Sequence, residues 1–117
     1  MRQAGVLAAA GLHALNHTRD RLAEDHAYAR RLADGLRALG WSIDREEVQM
    51  NVFYTTPPAH LDLRETVAFL ERHGVRISSP YSGRTLRLVT HYGIEAADIE
   101  RALEVFAQAT VREVARV

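Results

Sequence analysis

The stretch Thr85-Leu86-Arg87-Leu88-Val89-Thr90-His91 decides the fold, because its side chains alternate in character. Successive side chains of a β-strand point to opposite faces of the sheet. One face would carry Leu86, Leu88 and Thr90, and the other would carry Arg87, Val89 and His91. A guanidinium on a rigid strand is well placed to hold a carboxylate through two parallel hydrogen bonds. Arg87 is therefore the first candidate binding residue; the alternative is that this face of the strand is simply solvated.

The segments on either side of this stretch alternate between helical and extended patterns. Apolar residues recur at helical spacing through residues 19–39, and Gly40 can end that helix in a left-handed conformation. An extended segment begins at Trp41 and Ile43. Residues 48–55 form a strand by composition, which Pro57 and Pro58 stop.

The second half of the chain repeats this alternation. Asp62 and Glu65 resemble a capping box that opens a helix closed by Gly74, and residues 75–78 form a short strand. Gly83 suits a turn, and a last helix begins at about Glu95. The side chains predicted to face inward are Leu22, Ala29, Leu32, Leu36 and Leu39, then Leu63, Val67 and Leu70, then Ile99, Leu103 and Phe106.

This order, helix-helix-strand-helix-strand-strand-helix, predicts an α+β fold. Helices cover one face of a small, mainly antiparallel sheet. Residues 2–16, rich in alanine and glycine, predict a further helix whose small side chains let another backbone come close. We expect this helix to pack against something larger, although a merely high-propensity alanine helix is the alternative. Thr18 is predicted to cap the helix that follows.

Composition excludes several classes of function. The chain has 15 basic and 15 acidic residues, so it lacks the basic excess that nucleic acid or an anionic membrane would require. The apolar N-terminal stretch is too short to span a membrane. Cysteine is absent, which excludes thiolate chemistry and suits the cytoplasm. Every basic residue is arginine, so no side chain can form a Schiff base.

Metal and phosphate sites have weak support in the sequence. His13 and His17 have i,i+4 spacing, but the glutamate of the HExxH zinc signature is missing, and we expect no metal site. No glycine-rich phosphate loop is present. Arg2, at the start of a helix, could bind a phosphate together with free backbone N–H groups.

The segments that begin with MRQAG at 1–5, RLAEDHA at 21–27 and RLVTH at 87–91 together resemble those of low-specificity L-threonine aldolases. Residues 1–11, MRQAGVLAAAG, are similar to the segment that follows the cofactor lysine in that family. The stretches RLAEDHA at 21–27 and ARRLA at 29–33 resemble its next helix. RLVTH at 87–91, with DIERAL at 98–103, is similar to its C-terminal strand and helix. These matches occur in the family's order and span essentially the whole chain.

The resemblance implies a pyridoxal-phosphate enzyme of the aspartate-aminotransferase fold, which cleaves L-threonine or L-allo-threonine into glycine and acetaldehyde. It implies that Arg87 binds the substrate carboxylate and that Arg2 contacts the cofactor phosphate, in a neighbouring subunit's site. The family's lysine, its cofactor-stacking histidine and the aspartate paired with the pyridine nitrogen lie before the segment matching residue 1. The chain would then contribute no catalytic acid, base or nucleophile, and no chemical role for His91 follows.

The resulting expectation is a C-terminal portion of a larger lyase, inactive alone. Residues 1–17 would form an interdomain helix and residues 18–117 the small C-terminal domain. Its partners would be the missing N-terminal cofactor-binding domain, other subunits of a homo-oligomer and a small amino-acid substrate. Two alternatives stay open: the small domain of another fold-type-I enzyme, such as an aminotransferase, and a stand-alone dimerisation or ligand-binding module.

Overall fold

A computed structural model describes residues 2–44, 46, 48–77 and 82–114, except the side chains of residues 113 and 114. Its helices are α1 (Ala4–His17), α2 (Leu22–Ala38), α3 (Leu63–Arg72) and α4 (Ala96–Val114), and a 3-10 turn (Arg19–Arg21) precedes α2. Its strands are β1 (Ser42–Ile43), β2 (Val52–Thr56) and β3 (Leu86–Val89).

The three strands form one antiparallel sheet in the order β1-β2-β3. Thr55 of β2 pairs with both Ile43 and Leu86, so β2 is central and β3 lies at an edge. The predicted alternation of β3 is confirmed, because Leu86 and Leu88 are buried whereas Arg87 and Val89 are exposed. One face of the sheet is therefore covered, and the predicted α+β class is confirmed.

The core lies between that covered face and helices α2, α3 and α4. Trp41 is buried and meets Phe106 edge-on, with ring centroids 5.1 Å apart, while its indole N–H donates to the Thr110 hydroxyl at 3.2 Å. Both the apolar body and the polar tip of the indole are thus satisfied. The other large, fully buried apolar side chains are Leu36, Leu61, Leu70, Leu86 and Val105.

The helix ends follow local sequence signals. The Asp62 carboxylate accepts the Glu65 backbone N–H at 2.9 Å, as the capping box predicted. Gly40 and Gly74 both have positive φ, 83° and 88°, just after α2 and α3. The following residue in each case donates its N–H back into the helix, Trp41 to Leu36 at 3.0 Å and Val75 to Leu70 at 2.9 Å.

The order of elements differs from the prediction in one exchange. The extended segment at Trp41 forms strand β1, whereas the described part of the predicted strand at 75–78, residues 75–77, pairs with nothing as a strand. The observed order is helix-helix-strand-strand-helix-strand-helix. A strand forms where an extended segment pairs with a partner. Of these two segments, only the one at Trp41 places residues, Ser42 and Ile43, beside β2.

Two local predictions were wrong. The Thr18 hydroxyl makes no cap on the helix after it and donates instead to the Ala14 carbonyl of α1 at 2.9 Å. Leu22 is 48% exposed, because the apolar face of α2 begins only after the first turn. In α3, Leu70 is buried and the half-buried Leu63 and Val67 pack against the core, as predicted; Thr66 and Phe69 are buried beside them.

Helix α1 packs on the 3-10 turn and buries none of its residues. Its leucine and valine side chains, Val6, Leu7, Leu12 and Leu15, are 59–73% exposed. The molecule measures 58 × 27 × 25 Å, as expected when a helix roughly 21 Å long projects from a compact body. Within this chain, the expected burial of residues 2–16 is therefore not observed.

Candidate functional site

Strand β3 has one edge that pairs with β2 and one that faces a cleft. The Thr90 N–H donates to the Asn51 carbonyl at 2.9 Å, and the register continues as Val52 opposite Val89 and Tyr54 opposite Arg87. Hydrogen-bonded and non-hydrogen-bonded pairs alternate along an antiparallel ladder. The backbone N–H and carbonyl groups of Arg87 and Val89 therefore point away from β2, toward the free edge.

The cleft along this edge has a volume of about 550 Å³. Its walls are β3 and the turn after it, the segment that follows α3, and the first turns of α4. Arg87 and His91, both from residues 85–91, line the cleft, so the structure brings these two side chains to one site. Ligand pockets commonly measure roughly 300–1,000 Å³, so this one can hold a small molecule.

Among the charged residues that line the cleft, cations outnumber anions. Arg76, Arg87 and Arg101 line it, whereas Asp98 is the acidic residue among the lining residues. Asp98 already accepts the Glu95 backbone N–H at 2.9 Å, and Arg101 pairs with Glu104 outside the cleft at 3.3 Å. Within the part of the chain that the structure describes, Arg87 has neither an ion pair nor a hydrogen bond. Its guanidinium is available to an anionic ligand.

His91 has a defined local contact. Its Nδ1 lies 2.7 Å from the Tyr92 carbonyl oxygen, and since a carbonyl can only accept, Nδ1 carries the proton in this contact. The remaining Nε2 is on an exposed ring at the mouth of the cleft. His91 lies two residues beyond the end of β3.

A buried polar junction holds the end of β3. The Thr90 hydroxyl donates to the Asp25 backbone carbonyl in α2 at 2.6 Å, and the Asn51 side-chain amide donates to the Thr90 carbonyl at 2.7 Å. Thr90 is 2% exposed and Asp25 is 5% exposed. These bonds tie α2, the start of β2 and the end of β3 together. They therefore fix the direction in which β3 presents Arg87.

One oxygen of the Asp25 carboxylate, Oδ1, is buried and has no hydrogen-bond partner within the described part of the chain; the Arg21 guanidinium lies 4.0 Å from it. The Arg21 guanidinium lies over the Tyr92 ring, 4.5 Å from its centroid. Arg21 therefore links the first turn of α2 to the turn after β3. Burial of Asp25 was not predicted, because a charged residue near a helix start is ordinarily solvated.

Arg2 lies elsewhere, exposed in the turn before α1 and outside the residues that line the cleft. Gln3, next to it, has φ 58°, a left-handed conformation that is uncommon for a residue other than glycine. No described side chain caps the start of α1, and the first turn of this helix contains no acidic residue. The first N–H groups of α1 and the Arg2 guanidinium thus present positive charge at one end of the helix.

The histidine pair is close in space. The rings of His13 and His17 lie 4.7 Å apart on α1. Among the described residues, no third histidine, aspartate or glutamate joins them in a metal-binding group.

Arg76 is a candidate that the sequence reasoning missed. It lies between the half-buried Val75 and Ile77, and its own side chain is exposed in the cleft. The alternation of Val75, Arg76 and Ile77 was the available signal, since an extended segment with its neighbours buried turns the middle residue outward.

Comparison with known proteins supports the resemblance seen in the sequence. The family model for Beta-eliminating lyase matches residues 1–57. Low-specificity L-threonine aldolase 1 from Arabidopsis thaliana is 33% identical over 121 residues, which cover 99% of this chain and 34% of that protein. Low specificity L-threonine aldolase from Escherichia coli strain K12 is 46% identical over 50 residues, covering 43% of this chain and 15% of that protein.

The fold has a solved counterpart in Sphingomonas wittichii serine palmitoyltransferase. The TM-score is 0.75 at 22% identity, over 92% of this chain and 29% of that one. The sequence match to the Arabidopsis aldolase confirms the similarity to low-specificity L-threonine aldolases along nearly the whole chain. The chain spans about a third of the length of the Arabidopsis aldolase. Among the described helices, none combines the length and apolar character that crossing a membrane requires.

Proposed function

We propose that this chain is the C-terminal part of a pyridoxal-phosphate-dependent carbon–carbon lyase that cleaves L-threonine or L-allo-threonine to glycine and acetaldehyde. In this proposal Arg87 binds the carboxylate of the amino acid. The observation that carries it is the exposed Arg87 guanidinium, which has no partner among the described residues and extends from a rigid strand that lines a cleft of about 550 Å³. The similarity to threonine aldolases supplies the reaction.

Each residue of this chain then has a limited task. Arg87 holds and orients the substrate through charge-assisted hydrogen bonds, while the Thr90 junction keeps its strand in place. The bound cofactor supplies the electron sink for cleavage of the Cα–Cβ bond. No residue of this chain is proposed to move a proton.

The residues present fit the cofactor in part. A chain without lysine cannot attach it covalently through a side chain. Arg2 and the uncapped start of α1 suit a phosphate group, because both present positive charge and free N–H donors. We therefore propose that Arg2 contacts the cofactor phosphate, in the site of a neighbouring subunit, and that the lysine belongs to another part of the enzyme.

The exposed apolar face of α1 suggests the domain organisation. We propose that residues 1–17 form an interdomain helix and residues 18–117 the small domain. The valine and leucine side chains of α1 would then be covered by the rest of a longer chain and by a second subunit of a homo-oligomer. The enzyme would work in the cytoplasm, whose reducing environment suits a cysteine-free sequence.

Substitution of Arg87 tests the proposal in a longer protein that contains this chain. Loss of a hydrogen-bonded charge costs about 1.5–3 kcal/mol, so Arg87→Ala should lower kcat/KM for L-threonine roughly 10- to 150-fold, mainly through KM. Acetaldehyde release measures the rate. Arg30→Ala, on the exposed surface of α2, is the matched control and should change neither constant. Unchanged kinetics in Arg87→Ala would remove Arg87 from the site.

The 117-residue chain by itself gives a second test. Mixed with pyridoxal phosphate and threonine, it should release no acetaldehyde, and borohydride should attach the cofactor to no side chain. Acetaldehyde release by this chain alone would overturn its assignment as a non-catalytic portion.

A further inference from the structure

The cleft beside β3 has a second guanidinium for which the proposed reaction has no use. Arg76 extends from the segment after α3, whereas Arg87 extends from β3, so two different walls each contribute one arginine. L-Threonine has a single carboxylate, which one arginine satisfies.

Arg76 and Arg87 are alike in their lack of polar partners among the described residues. Within the described residues, neither makes an ion pair or a hydrogen bond. The other charges of the cleft are engaged: Asp98 accepts the N–H of Glu95, and Arg101 pairs with Glu104. His73 also lines the cleft and donates from Nδ1 to the Phe69 carbonyl at 2.8 Å. Two guanidiniums that no described residue neutralises raise the potential of a partly enclosed cleft and attract anions.

The position of Arg76 supports a binding role over an accidental surface charge. Its neighbours Val75 and Ile77 pack against the core cluster, and the Val75 N–H donates to the Leu70 carbonyl at 2.9 Å. The stem of Arg76 therefore starts from an anchored backbone. On the opposite wall, Arg87 starts from a paired strand.

We propose that Arg76 and Arg87 form one site for a small molecule with two anionic groups, each of them a carboxylate or a phosphate. The assignment of one group to Arg87 rests on the proposed function. Within that function, Arg76 favours as substrates the β-hydroxy amino acids whose side chain is itself acidic. A planar guanidinium on each wall gives paired hydrogen bonds to each anionic group.

Anion binding to the 117-residue chain tests the site without catalysis. Amide chemical shifts are followed during titration with succinate, which has two carboxylates, and with acetate, which has one, at matched low ionic strength. Succinate should bind at least tenfold more tightly than acetate and should shift amides of β3 and of residues 75–77. Equal affinity for the two anions would overturn the proposal.

Three variants assign the effect to the two arginines. Arg76→Gln and Arg87→Gln should each abolish the tenfold preference for succinate, whereas Arg30→Gln, on the exposed face of α2, should retain it. Spectra of each variant without anion show that the fold is intact. Retention of the preference in Arg76→Gln, or its equal loss in Arg30→Gln, would overturn the two-arginine site.

A third probe identifies the second anionic group. In 2-phosphoglycolate a phosphate replaces one carboxylate of a comparably short molecule. Tighter binding of 2-phosphoglycolate assigns a phosphate to the second position, and tighter binding of succinate assigns a carboxylate; either result supports the site. Failure of both probes to exceed acetate would overturn it.

Kinetics in a longer protein separate this inference from the function on which it rests. Arg76→Gln should lower the ratio of kcat/KM for 3-hydroxyaspartate to that for threonine by about tenfold, a discrimination of roughly 1.4 kcal/mol. An unchanged ratio would overturn the substrate class. If Arg87→Ala leaves the threonine KM unchanged, the proposed role of Arg87 in the reaction fails, whereas the anion titration still decides whether the two arginines form a site.

Discussion

The Thr90 hydroxyl provides a sharp test of how the strand that presents Arg87 is held. Thr90 is 2% exposed and donates to the Asp25 carbonyl at 2.6 Å, with the Asn51 carbonyl at 3.5 Å. In Thr90→Val a methyl group replaces the hydroxyl with little change in shape, so almost no cavity forms. The main loss is one buried hydrogen bond, and the Asp25 carbonyl loses a donor that water cannot easily replace.

The expected destabilisation is about 1–3 kcal/mol, the cost of removing one partner from a buried hydrogen bond. With a urea dependence of about 2 kcal/mol per molar, the unfolding midpoint should fall by roughly 0.5–1.5 M. Urea titration followed by far-ultraviolet circular dichroism measures the midpoint. The slope should stay the same, because the substitution changes no large surface.

Thr56→Val in β2 is the matched control. Its side chain is half-buried, and its hydroxyl has no hydrogen-bond partner among the described residues. This variant should change the free energy of unfolding by less than about 0.5 kcal/mol, as surface substitutions generally do, so its midpoint should stay nearly unchanged. If the two threonine variants shift the midpoint equally, the Thr90 junction does not hold β3, and the reasoning is refuted.

Three other predictions concern the helices, each read out by urea unfolding. A Cβ at Gly35 would lie 2.6 Å from Leu103 Cδ1, so Gly35→Ala should be less destabilising when Leu103→Ala has removed that side chain. In a double-mutant cycle the two substitutions should couple by about 1–2 kcal/mol, and additive effects would contradict this contact. The Arg31 guanidinium makes two hydrogen bonds of 2.8 Å to the Glu100 carboxylate, and both side chains are half exposed. Their coupling free energy should therefore be under about 1 kcal/mol and should weaken in 1 M salt. A coupling that salt leaves unchanged would contradict an exposed pair. Asp62→Ala should cost about 1 kcal/mol through loss of the α3 cap, whereas Asp62→Asn should retain most of it.

The faces of the elements could be predicted where the pattern is local. Alternation along residues 85–91 was enough to turn Arg87 outward and Leu86 inward, because strand geometry links neighbouring side chains directly. The helix ends at Gly40 and Gly74 were likewise predictable, since a positive φ depends on the residue itself. The role of Arg87 as a carboxylate ligand came from resemblance and stays a prediction.

The sequence by itself determined which segments are helical or extended and which side of β3 carries its cation. Only the tertiary structure decided that the segment at Trp41 pairs as a strand while residues 75–77 do not, because pairing requires a partner brought from elsewhere in the chain. It also decided that Asp25 is buried and accepts a hydrogen bond from Thr90, and that Arg76 lies in the same cleft as Arg87. Periodicity acts over a few residues, whereas these relations arise from the packing of distant segments against one core.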